Sequence, residues 1–183
     1  MQAFHKLVLL PPLVVLACLA AGIYGMAHDQ LSYTVSPDYF HHLKFQQFGI
    51  GEHFHDRVGA AIVGWGATWW MGLVVGLPLS VVGLIIRGRR AYLLAVCKSF
   101  VLAIGTAVAL GLAGLVFAKA NTLTYWHRNY PFPEGVTDQE AFLEVGMMHN
   151  ASYIGGGLGL LGGLVYLLVA GFKQRRERTA GQA

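Results

Sequence analysis

Hydrophobic and polar positions in this chain fall in long blocks rather than interleaving. Residues 7–28, 58–86, 99–118 and 145–172 contain no Asp, Glu, Lys or Arg. A helix needs about 20 apolar residues to cross a bilayer core, and each block reaches that length. None shows the short alternating segments of a membrane barrel. The pattern predicts an all-α integral membrane protein forming a single membrane domain over residues 1–183. It is a four-transmembrane-helix bundle with helices over residues 7–27, 58–86, 91–118 and 147–172, and a basic tail at 173–183. Two polar connections, residues 28–57 and 119–146, complete the plan.

Within the first connection, "SPDYFHHLKFQQFG" has Ser36 placed as an N-cap, Pro37 at the first helical position and Gly49 just past the end. That predicts a short interfacial helix with Tyr39, Phe40, Phe45 and Phe48 at the lipid–water boundary. In the second connection Thr137 to Glu140, "TDQE", reads as a capping box whose helix runs into the fourth span unless Gly146 bends it. Pro78 predicts a kink late in the second span. In the fourth span, Gly155, Gly159 and Gly163 recur at a spacing that lets helix backbones approach closely in lipid.

Composition agrees and adds orientation. Only 12% of the 183 residues are charged, against about a quarter in soluble domains. Of 13 Lys and Arg residues, Lys6, Arg87, Arg89, Arg90, Lys98, Lys173, Arg175, Arg176 and Arg178 fall at one side of the spans. Eight of the nine acids fall on the other. The positive-inside rule then places both termini in the cytoplasm and residues 28–57 and 119–146 outside. The net charge of +4 is a topology signal, with no support for nucleic-acid binding. Lys6 and "GMA" before His28 loosely imitate a cleavable signal, and "VLAC" at Cys18 a lipoprotein signal. The 21-residue apolar run with Pro11-Pro12 at its start favours an uncleaved helix. Cys18 and Cys97 form no CxxC pair and read as small apolar packers.

Candidate chemistry collects at the outer helix ends. Of eight histidines, seven (His28, His41, His42, His53, His55, His127 and His149) lie there. His28, His55 and His149 each continue a helical face of small residues, so the ends of helices one, two and four can direct imidazoles into the bundle. Asp29, Gln30, Glu52, Asp56 and Asn150 stand beside them as co-ligand candidates. Glu52 and His55 form one Glu-x-x-His pair, where di-metal carboxylate bundles use two. The candidate metal set is His28, Glu52, His55, Asp56 and His149, with Fe, Zn, Cu or Mn as suitable ions. A b-type haem held by His28 and His149 is the second metal-centred option. No span has a histidine in its cytoplasmic half, which disfavours a transmembrane electron relay. Polar helix ends satisfied by hydrogen bonds and water are the plain alternative. His41 and His42 read as solvent or headgroup contacts, and His127 with Trp126 and Arg128 as an interfacial anchor.

The stretch "HDQLSYTVSPDYFHHLKFQQFG", with its His-Asp-Gln, Ser-Pro-acid-Tyr-Phe and Lys-Phe-x-Gln-Phe elements, resembles a group of uncharacterised bacterial membrane proteins. The likeness covers His28 to Phe48 and implies a bacterial membrane location, with no activity attached; the location expected is the inner membrane. Two functions remain open: an outer His/carboxylate site that binds a metal and supports redox chemistry, or a non-catalytic subunit or scaffold. In the second, the outer loops bind lipid, a membrane-protein partner or another copy of the chain. A histidine-based pH sensor is a third.

Overall fold

The computed structural model describes residues 6–121 and 129–180, all helical or connecting. Helix α1 spans Leu10–Val35. A short helix, α2, runs from Pro37–Tyr39 through a π-helical turn, Phe40–Lys44, into Phe45–Gln47. A 3-10 turn, Glu52–Phe54, leads to α3, Arg57–Thr68, and then to α4, Met71–Gly83. Two long helices finish the chain: α5, Arg89–Ala120, and α6, Gln139–Ala180. Among the described residues, α1, α5 and α6 are each long and apolar enough to cross a membrane, and α3 with α4, bent by 41° at their short break, are so together.

The first helix does not end where the charge-free run ends. It continues through His28, Asp29 and Gln30 to Val35, because Asp29 and Ser32 extend the buried face of Ala17, Gly22 and Gly25. What stops it is Pro37, whose ring pushes Ser36 into an extended conformation (φ −141°, ψ 95°). The same Ser36 caps α2 by accepting the Tyr39 amide at 3.3 Å, and Gly49 takes the left-handed conformation (φ +62°) that closes it.

The second span breaks at Trp69-Trp70, ahead of Pro78, which lies inside α4. Thr68 donates to the Ala21 carbonyl of α1 at 2.7 Å and to Gly64 at 2.8 Å, locking the end of α3 onto α1. There Gly25 and Gly64 meet backbone to backbone, so that a methyl group on Gly64 would strike the Gly25 carbonyl. Beyond the crossing, α4 bends and follows α1 with Gly72 against the Cys18 backbone and Gly76 against Ala17. Small-residue contacts of this kind drive helix association in lipid, where apolar burial gives no preference between helices.

Helix α6 is continuous through Gly146 and begins one residue later than the capping box implies. Asp138 caps it, accepting the Ala141 amide at 2.9 Å, while Thr137 turns to Asp38. The basic segment after Phe172 stays helical to Ala180. Helices α5 and α6 run antiparallel, with Gly155 on Ala107 and Gly159 on Ala103.

Two cores form. One packs Leu79, Ile86, Tyr92, Val96 and Leu167 near the α4–α5 connection. The other gathers Tyr39, Phe40 and Phe45 of α2 with Ala60, Val63, Phe142 and Val145. The α2 aromatics expected at the lipid boundary are therefore largely inside: Phe40 and Phe45 are fully buried, and Tyr39 nearly so. The short helix is a plug on the bundle, because its aromatic side faces the helices.

Candidate metal centre

Antiparallel packing of α1 and α6 brings the α1 residues Asp29, His28 and Ser32 against His149, Ser152 and Met148 of α6. On each helix the three residues fall within about one turn, two of them adjacent, so a single short stretch of each supplies the set. The glycines beside them pack each helix on a different neighbour, Gly22 and Gly25 of α1 on α3 and Gly155 of α6 on α5, so those two neighbours hold the pair in place.

Asp29 Oδ1 lies 3.2 Å from His28 Nδ1 and 3.2 Å from His149 Nε2. The three ligand atoms fall within 4.8 Å of one another. The side chains are almost sealed: His28 is 8% exposed, Asp29 6% and His149 8%. Each imidazole has its second nitrogen committed. His149 Nδ1 donates to the Val145 carbonyl at 2.9 Å, and His28 Nε2 pairs with Ser152 Oγ at 3.0 Å. Ser32 Oγ donates to the His28 carbonyl at 3.0 Å and stands 3.4 Å from His28 Nδ1.

This wiring has a chemical consequence. With Nδ1–H spent on Val145, a neutral His149 presents the Nε2 lone pair to a carboxylate oxygen at 3.2 Å. Two lone pairs at that distance repel unless a proton or a metal ion lies between them. A first-row ion with bonds of about 2.0–2.2 Å keeps neighbouring donors roughly 3.0–3.5 Å apart, which the two Asp29 contacts match. An imidazole whose other nitrogen is held by a carbonyl or hydroxyl is the usual companion of metal ligation.

The cluster lies within the helices and not in the polar connection over residues 28–57, because α1 runs to Val35, about two turns past the end the sequence pattern suggests. Of the five residues in the expected set, the structure joins His28 and His149, and Asp29 stands between them. Glu52, His55 and Asp56 are elsewhere. Residues 52–54 form a 3-10 turn, so the Glu-x-x-His spacing does not sit on an α-helix, and Glu52 is exposed. His55 stacks on Phe45 at 4.6 Å and its Nε2 bonds the Ile50 carbonyl at 2.9 Å. Asp56 caps α3, accepting from Val58 at 2.7 Å and Gly59 at 3.2 Å. Glu144 is paired with Lys119 at 3.2 Å. The rings of His28 and His149 touch edge to face at 4.6 Å, which leaves no slot for a porphyrin plane between them. His127, with Trp126 and Arg128, falls outside the described residues.

Ser32 escaped the sequence reading, although its position three residues past Asp29 is a signal for the same helical face. The plug closes the cluster from above. Tyr39 lies over His149 with ring centroids 5.1 Å apart, and burial pushes its hydroxyl pKa upward. Lys44 reaches across the Tyr39 ring at 5.6 Å; burial lowers its ammonium pKa, and the Asp29 charge opposes that. His41 bonds the Tyr33 hydroxyl at 3.1 Å, and burial lowers its pKa, with His55 adding to the effect.

Comparison with protein-family models, curated proteins and solved structures finds no match, so the chemistry rests on the geometry of this chain.

Proposed function

We propose that this chain is a membrane metalloprotein in which His28, Asp29 and His149 hold one transition-metal ion between the ends of two transmembrane helices. The carrying observation is the His149 wiring: its Nδ1–H is tied to Val145, and its Nε2 lone pair is aimed at the oxygen that also faces His28. Two imidazoles and one carboxylate with positions left over form the donor set of non-haem Fe(II) sites. Iron is the favoured ion on that ground, with Zn, Mn and Cu as competitors. Three protein ligands leave room for an exogenous one, the arrangement that distinguishes reactive from structural sites. Redox chemistry on a small or lipid-soluble partner is the function that fits this setting.

The placement belongs to the same proposal. The basic residues of the α4–α5 connection and the C-terminal segment support cytoplasmic termini, with the cluster toward the outer face. The likeness of residues 28–48 to bacterial membrane proteins supports a bacterial inner membrane.

The test is elemental analysis of untagged protein in detergent, beside Asp29→Asn and His149→Ala. About one equivalent of iron or another transition metal per chain, lost in both variants, is expected. No stoichiometric metal after reconstitution with Fe, Zn, Mn and Cu would overturn the reading and leave a proton shared by His149 and Asp29.

A further inference from the structure

A cavity of about 120 Å³ opens beside the metal cluster, among α1, α3, α4, α5 and α6. Beside the larger Val63, Met71, Val75, Phe100 and Ile104, its lining includes small groups where a membrane interior ordinarily holds Leu or Ile: Ala20 and Ala21 of α1, Ala103 and Ala107 of α5, and Gly156 of α6. A side chain at Gly156 would meet nothing within 4 Å, so helix packing does not require a glycine there. The apolar part of such a lining does not hold ordered water, and an apolar cavity of about 150 Å³ takes one benzene ring. At about 120 Å³ and partly open, the cleft is close in size to a single six-membered ring and far too small to enclose a porphyrin.

The polar end of the cavity defines the ligand further. His28, Asp29, His149 and Ser152 lie there, with Lys44 above them. The Tyr24 hydroxyl is buried near Ser152, yet it makes no hydrogen bond of ordinary geometry. A buried hydroxyl left in that state calls for an acceptor. A neutral ring oxygen can serve as that acceptor beside the Asp29 carboxylate. The cavity is partly open, and Tyr153 of its lining is 55% exposed.

We propose that this cleft binds the oxygenated ring of a lipid-soluble quinone or quinol, with Tyr24 O–H donating to a ring oxygen and the tail leaving past Tyr153. The assignment rests on the cavity and Tyr24, and it holds whether or not the neighbouring cluster carries metal.

The experiment is equilibrium binding of decylubiquinone, its reduced quinol and decanol to the full chain in nanodiscs made from quinone-free lipid. Wild type, Gly156→Leu, Ala20→Leu and Tyr24→Phe are compared, with metal content measured on each. Saturable binding of quinone or quinol near one equivalent is expected, the preferred redox form naming the ligand. The two cavity-filling variants, on α6 and α1, should lose it at least tenfold with metal content unchanged. Tyr24→Phe should weaken it about tenfold, the loss of one buried hydrogen bond. The proposal is overturned if neither ring compound binds saturably, if decanol binds as well as they do, or if both filled variants that fold bind normally. Failure of the metal reading looks different: no metal in wild type, with ring binding still abolished by the filled cleft.

Discussion

The Asp38 carboxylate takes three hydrogen bonds from the start of α6: from the Thr137 amide at 2.7 Å, the Thr137 hydroxyl at 2.8 Å and the Asp138 amide at 3.0 Å. Asp38 follows α1 through Ser36, so this contact sets the register between the helix carrying His28 and Asp29 and the helix carrying His149. These donors hold the Asp38 pKa below its ordinary value, the Asp138 amide first among them. A depressed carboxylate contributes stability that is present above the unfolded pKa and lost as pH falls through the folded one. Thermal stability of the wild type should therefore drop on acidification below the ordinary carboxylate range. Asp38→Asn should melt a few degrees lower at neutral pH, and the gap should close in acid. A pH-independent difference between the two would show that the charge is not what holds the contact.

At the proposed metal site Ser152 should matter without being a ligand. Its hydroxyl fixes His28 Nε2, leaving Nδ1 to face Asp29. Ser152→Ala is expected to weaken metal affinity about 10–100-fold, the usual cost of losing an outer hydrogen bond, while the helices stay assembled. Competition titration with a chromophoric chelator measures this. Unchanged affinity would remove Ser152 from the supporting shell.

Phe40 anchors the plug. It is fully buried against Tyr33, Tyr39 and Phe45. Phe40→Ala should cost about 3–5 kcal/mol and free residues 37–47 for proteolysis. A cleavage pattern identical to wild type would mean that α2 is held by its ends alone.

Two glycine substitutions should behave oppositely. Gly64→Val drives a side chain into the α1 backbone at Gly25 and should abolish folded yield. Gly105→Ala meets nothing within 4 Å and should be neutral or stabilising by up to about 1 kcal/mol. Size-exclusion profiles and melts of the two variants decide it; equal behaviour would contradict the close α1–α3 crossing.

Much of the architecture was legible in the charge-free runs, because lipid imposes a length and a composition on any helix that crosses it. The α2 helix was legible for a different reason: Ser36-Pro37 and Gly49 act through local sterics and need no partner. The ends of the long helices were not. Asp29 reads as the end of a span by composition alone, yet it is buried because His28 and His149 satisfy it. The bend at Trp69-Trp70 likewise depends on Thr68 finding the Ala21 carbonyl on another helix.

Sequence by itself determined that four apolar spans exist, that imidazoles collect at one end of them, and that His28 and His149 point along faces of small residues. Only the tertiary structure decided which of them meet. Glu52, His55 and Asp56 are close in sequence to one another, but a 3-10 turn and a helix cap use them locally. Asp29 and His149, 120 positions apart, share a contact because α1 and α6 pack antiparallel at one register. Periodicity states which side of a helix a residue occupies. It carries no information on how far one helix slides along its neighbour, and that displacement is what places two nitrogens on one carboxylate oxygen.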